Sequence, residues 1–136
     1  MSYHAFKEKQ HAEFNAFPIG AAFSNEQLEE AKQKLGVKEN SELLSIYSGT
    51  FIRKVDREAF HALNEKLKQE LKDFLKDPEN LTDAIRHELG NYEYIYTYDP
   101  TDVLNALGFD SYESLTPDQL TCYKKARQQY LATAEA

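Results

Sequence analysis

The sequence predicts a helix-dominated α+β protein, with five or six helices around a small sheet of two or three strands. Three observations lead there. Leu (15), Phe (8) and Tyr (9) far outnumber Ile (5) and Val (3), a balance that favours helix over extensive sheet. Apolar residues recur at helical spacing along most of the chain, and capping residues stand where those stripes begin and end. Only three short stretches, Ile19 to Phe23, Thr50 to Val55 and Tyr92 to Tyr98, read as extended.

The elements follow in order. Tyr3 to Ala16 reads as a helix with Tyr3, Phe6, Phe14 and Phe17 on one arc and His4, Glu8, His11 and Asn15 on another; Pro18 stops it. After the extended piece at Ile19, Ser24 and Gln27 form a capping-box pair that opens a second helix. Gly36 closes that helix, and Val37 is placed for the apolar contact of a Schellman ending. Ser41 to Tyr47 reads as a helical turn or two, broken by Ser48-Gly49. Thr50 to Val55 is a strand, and Asp56 is the expected cap of the next helix. Over Arg57 to Lys76 that helix carries Phe60, Leu63, Leu67, Leu71 and Phe74 at spacings of 3, 4, 4 and 3. Lys66 with Glu70 and Asp73 with Lys76 are placed for side-chain pairing along it.

Asp77-Pro78 ends it and opens a further helix through Leu81, Ile85 and Leu89, closed by Gly90-Asn91. Tyr92 to Tyr98 carries tyrosine at every second position, so a strand there would line Tyr92, Tyr94, Tyr96 and Tyr98 along one face. Asp99 caps, Pro100 takes the first helical position, and Val103, Leu104 and Leu107 lead to Gly108, with Phe109 in the role of Val37. Thr116-Pro117-Asp118-Gln119 starts the last helix, whose stripe is Leu120, Tyr123, Ala126 and Tyr130; Thr133 to Ala136 is expected to fray. The echo between Leu35-Gly36-Val37 and Leu107-Gly108-Phe109 follows from shared capping physics and requires no duplication. No Pro-, Gly- or Ser-rich linker divides the chain, so residues 1–136 are read as a single domain.

Charge is the most informative compositional feature. The net charge is −7, yet residues 1–76 carry 12 cations against 12 acids, while residues 77–118 carry ten acids against Arg86 alone. Those acids are Asp77, Glu79, Asp83, Glu88, Glu93, Asp99, Asp102, Asp110, Glu113 and Asp118. Such a block repels nucleic acid and acidic membranes and attracts basic surfaces, although several of its members stand where helix caps are needed. No apolar run reaches the length of a bilayer span, and residues 1–10 lack the apolar core of a signal peptide, so a cytoplasmic protein is expected.

Reaction machinery is hard to find. His4, Glu8 and His11 share a helix face at metal-ligand spacing, but no second ligand-rich segment completes a coordination sphere, so no metal site is assigned. Cys122, the single cysteine, near Lys124 and Lys125, reads as a small buried hydrophobe. Arg86-His87-Glu88 is consecutive on a helix, so its side chains diverge, and a surface position is expected for them. A carboxylate–histidine site would require His87 or His61 to meet an acid in space. No cofactor is expected.

Four stretches carry a resemblance. Ala22 to Gln27 leading to Lys34-Leu35-Gly36, then Gly49 to Lys54 with Asp56 and Phe60, then Tyr92-Glu93-Tyr94, then Asp102 to Ala106-Leu107-Gly108, resemble a family of small uncharacterised proteins of gut bacteria, their phages and mobile elements. The resemblance implies a phage or mobile-element accessory role and transfers no catalytic residue.

These readings converge on a non-enzymatic, protein-binding accessory protein acting on a host or defence protein. Its expected surface is Tyr92, Tyr94, Tyr96 and Tyr98 with Glu93, Asp99 and Asp102, facing a basic protein partner, with no direct nucleic-acid or membrane binding. A nucleic-acid mimic, with the ten acids on one face, is the first alternative, and a small enzyme with a carboxylate–histidine site the second. A homodimer formed by edge pairing of the tyrosine strand is a further option.

Overall fold

The computed structural model describes residues 1–134. Its elements are α1 (Tyr3–Asn15), β1 (Gly20–Ala21), α2 (Asn25–Leu35), β2 (Leu43–Tyr47), β3 (Thr50–Arg53), α3 (Arg57–Phe74), α4 (Pro78–Asn91), α5 (Tyr94–Thr97), α6 (Thr101–Ala106) and α7 (Pro117–Ala134), with short 3₁₀ turns at Asn40–Glu42, Lys54–Asp56 and Tyr112–Ser114. This is the helix-dominated α+β architecture expected from the composition. The described residues form two compact units: residues 1–8 with 67–134, and Lys9–Lys66.

The Lys9–Lys66 unit is built on a three-stranded antiparallel sheet of order β1-β3-β2. Ala31 and Leu35 of α2 bury against Phe51 of β3, with Leu28, Val37 and Leu43 packed around them. Ser24 caps α2 by accepting from Gln27 N at 3.2 Å, while the Gln27 side chain turns back to accept from Phe23 N at 2.8 Å. Gly36, at φ +72°, lets Val37 N reach Lys32 O at 3.0 Å, the Schellman ending expected there. Phe14 and Phe17 pack on Phe60, with centroids 5.9 and 5.3 Å apart.

Two expectations are corrected in this unit. Leu43 to Tyr47 is strand rather than helix: Ser48-Gly49 is a two-residue hairpin turn, Gly49 supplying φ +73°, and pairing with β3 overrides the helical preference of two leucines. Asp56 does not cap α3. The 3₁₀ turn brings it back onto Arg53, whose Nε and Nη2 donate to its two oxygens at 2.7 and 3.1 Å, and this hydrogen-bonded carboxylate holds the Arg53 guanidinium above its ordinary pKa.

Gly20 marks a close approach in the same sheet. A Cβ at this position would lie 2.6 Å from Phe51 Cε2 and 3.1 Å from Leu35 Cδ1, both in buried side chains. Gly20→Ala is therefore expected to cost about 1–3 kcal/mol, seen as a lower urea midpoint with an unchanged slope.

In the other unit, α4 packs along α7 around a core of Leu81, Ala84, Ile85, Leu89, Val103, Leu104, Tyr123 and Ala126, with Tyr3 and Phe6 of α1 included. Phe6 stacks on Phe74 at 4.3 Å and 12°. Asp77 caps α4 through Glu79 N at 2.9 Å. Thr116 and Gln119 form a reciprocal box at the start of α7, with bonds of 2.9 and 3.2 Å. The ending of α6 repeats that of α2, with Gly108 at φ +89° and Phe109 N on Leu104 O at 2.9 Å. Pro100 lies one residue before α6 rather than on its first turn. Thr133 and Ala134, expected to fray, continue α7, while residues 135 and 136 lie outside the described residues.

Candidate functional site

The stretch from Tyr92 to Tyr98 is not a strand. The unit that holds it contains no strand to pair with, so an extended Tyr92–Tyr98 would leave its amides and carbonyls without ladder partners. The chain instead winds into one helical turn, Tyr94–Thr97, in which Tyr98 N closes on Tyr94 O at 2.8 Å. The alternation of tyrosines therefore no longer sorts them by face.

Left-handed residues bracket the turn. Glu93 has φ 51°, ψ 45° and Tyr98 has φ 54°, ψ 23°. Among the described residues these are the only non-glycine residues at positive φ. Each costs about 1 kcal/mol or more, because Cβ crowds the following carbonyl.

Tyr94 anchors the turn from below. It is 3% exposed, its ring meets those of Tyr98 and Tyr130 edge-on at 5.4 and 6.2 Å, and its hydroxyl accepts from Tyr123 at 3.4 Å. Ile95 N donates to the Tyr130 hydroxyl at 3.2 Å, which ties the first turn of α5 to α7. Burial, then the hydrogen bond to Tyr94, pushes the Tyr123 phenol above its ordinary pKa. The anchor faces the core, so Tyr94 is removed from the surface expected of it.

The remaining three rings face solvent: Tyr96 is 80% exposed, Tyr98 56% and Tyr92 44%. Glu93, Asp99 and Asp102 are exposed beside them. Asp99 accepts from Thr101 Oγ1 at 2.6 Å and Thr101 N at 3.0 Å, which holds its carboxyl below the usual range and keeps it ionised. The result is an aromatic, anionic turn on a fixed backbone.

Other acids of the block make contacts within the chain. Glu88 is buried, accepting from Lys7 Nζ at 2.7 Å and the Tyr3 hydroxyl at 2.9 Å, which corrects its expected surface position. Its place on the Leu81–Ile85–Leu89 stripe of α4 explains the burial. Asp83 accepts from Tyr3 N and Arg86, Asp77 caps α4, and Asp99, expected as a cap, instead lies before Pro100 and accepts from Thr101. Four of the ten carboxylates are thus engaged by the chain itself.

Other candidates stay apart. His4, Glu8, His11 and His61 are exposed, and His87 is half-buried with its ring 5.3 Å from Tyr3 and 6.0 Å from His4. Among the described residues no three His, Cys, Asp or Glu side chains converge as a metal site would require. Cys122 is buried with Sγ 3.6 Å from Pro78 O. Among the described residues no helix is long and apolar enough to cross a membrane.

A helical α+β scaffold that displays tyrosines on a strained turn defines the class structurally. The chain belongs to a family of unknown function, DUF7659, whose model matches residues 2–133. Neither the curated proteins nor the solved structures contain a match to it.

Proposed function

We propose that this protein is a non-enzymatic binding protein whose contact surface is the turn bearing Tyr92, Tyr96 and Tyr98, with Glu93, Asp99 and Asp102 at its margin. In the setting implied by the sequence resemblance, it is a phage or mobile-element accessory protein that engages a basic host or defence protein in the cytoplasm. The observation that carries this reading is the pairing of strain with exposure. The two left-handed non-glycine residues flank the turn whose rings are left in water, and strain retained at a site is a mark of function rather than of packing. Tyrosine offers large contact area with few rotors to freeze, and flanking carboxylates speed encounter with a basic partner.

The test compares the wild type with Tyr96→Ser and with Tyr96→Ser/Tyr98→Ser. Tyr96 is exposed, so the single variant is expected to fold within about 0.5 kcal/mol of wild type. The double variant loses about 1 kcal/mol more, because Tyr98 packs on Tyr94. In affinity capture from a bacterial lysate, a protein held by the wild type at low salt and weakened at 0.5 M salt is expected to be lost with the double variant. Loss of a central interface tyrosine corresponds to about 2 kcal/mol, roughly thirtyfold in Kd. Identical captured sets from both folded proteins overturn the reading.

A further inference from the structure

A second feature lies in the same unit but away from the tyrosine turn. Lys68 and Lys72 near the C-terminal end of α3, and Lys76 in the turn just beyond it, recur every fourth residue, beside Leu71 of α3 and Leu75 of that turn. The two rows border a cleft of about 750 Å³ whose opposite wall is the end of α6, with Leu107 and Phe109. This volume falls within the roughly 300–1,000 Å³ of sites that enclose small ligands. Leu75 and Leu107 are buried, so the floor is apolar, and Lys68, Lys72 and Lys76 are among the residues that line the cleft. Lys76 meets Asp73 at 3.0 Å, and Lys76 with Lys72 helps hold the Asp73 carboxyl below its usual range, so the cationic field is felt locally.

We propose that this cleft binds a small anionic amphiphile: an extended apolar body lying on the leucine floor, with one carboxylate or phosphate head drawn to the lysine row. The charge contrast selects the head. The chain is acidic overall, and residues 77–118 carry ten acids against a single arginine, so a row of three lysines beside an apolar trough forms a local minimum for an anion that needs a dry tail. The end of α3 and the turn that follows it supply both halves of the recognition. Closure by Gly108 and Phe109 at the end of α6 supplies the facing wall.

The probe is monomeric dodecanoate, titrated into the full chain below its micellar concentration by calorimetry and by amide shifts. Saturable one-to-one binding is expected, with shifts confined to residues 68–76 and 105–109. Dodecyltrimethylammonium, with the same tail and the opposite head, is expected to bind at least tenfold more weakly. Lys72→Glu and Ala106→Trp, both at exposed positions, are each expected to weaken dodecanoate at least tenfold; Lys72→Met, which keeps the stem, separates charge from packing. Circular dichroism and melting verify that each variant folds. Flotation with phosphatidylcholine–phosphatidylglycerol vesicles is expected to leave the protein unbound. The proposal is overturned by absence of saturable binding, by equal binding of the cationic amphiphile, by unchanged affinity in the folded variants, or by Lys72-dependent attachment to vesicles in place of the monomer.

Discussion

Glu88→Ala is expected to be the most damaging single substitution in the unit that contains α4, lowering stability by about 2–4 kcal/mol in urea unfolding. Glu88 is 1% exposed and accepts from Lys7 at 2.7 Å, Tyr3 at 2.9 Å and Asn91 at 3.4 Å. Truncation leaves a void and an unsatisfied phenol hydroxyl in the core. The cost stays below that of a fully enclosed ion pair because the Lys7 side chain is 32% exposed and can turn to water. Glu88→Gln keeps the volume and an acceptor but meets an ammonium with a neutral amide, so its expected cost is about 1–2 kcal/mol. Tyr3→Phe combined with Glu88→Leu removes both members of the hydroxyl–carboxylate bond. It is expected to cost less than the sum of the single changes, and strict additivity would show that the bond carries no coupling.

The second large effect is on alkaline stability. Burial, followed by the charge of Glu88 and the hydrogen bond to it, raises the Tyr3 phenol far above its ordinary 10.0, and Tyr123 is raised by burial and by Tyr94. In the unfolded chain both ionise near the ordinary value. Above it the unfolded state therefore holds fewer protons than the folded state, and the stability these groups contribute falls as pH rises. Their contribution is expected to be constant up to about pH 9. Beyond pH 10 it falls by at most about 2.7 kcal/mol per pH unit for the two together. Thermal melts from pH 8 to 11.5 measure this, and Tyr3→Phe or Tyr123→Phe should each flatten the slope by one proton. A slope unchanged in both variants would remove these phenols from the linkage.

What could be read from the chain divides along a physical line. Several caps and endings were legible because they are decided within four residues: Ser24 with Gln27, Gly36 with Val37, and Thr116 with Gln119 all satisfy backbone groups of their own turn. Asp56, drawn onto Arg53 three residues away, is a local exception; the larger features that escaped depend on distant neighbours. Leu43 to Tyr47 is a strand because β3 is present to pair with it, and Tyr92 to Tyr98 is not one because its unit offers no edge. Ser48-Gly49 between two apolar runs was the available hairpin signal.

The candidate site was half legible. Alternating tyrosines drew attention to this segment, but a period of two assigned all four rings to one side, whereas the turn sends Tyr94 inward and leaves Tyr96 exposed. Glu88 could have been found from its place on the Leu81–Ile85–Leu89 stripe, where a carboxylate must be either an error of pattern or a buried partner. The cleft beside Lys72 was not legible, because its opposite wall comes from residues some thirty positions later.

Freezing a loop normally falls due when two molecules meet, and it weakens the complex by the freedom lost. Here Glu93 and Tyr98 are already locked when the chain folds, so the cost of ordering that backbone is met once, by the protein's own stability, and is not charged again at each encounter. A molecule that docks on those rings has only side-chain rotors left to still.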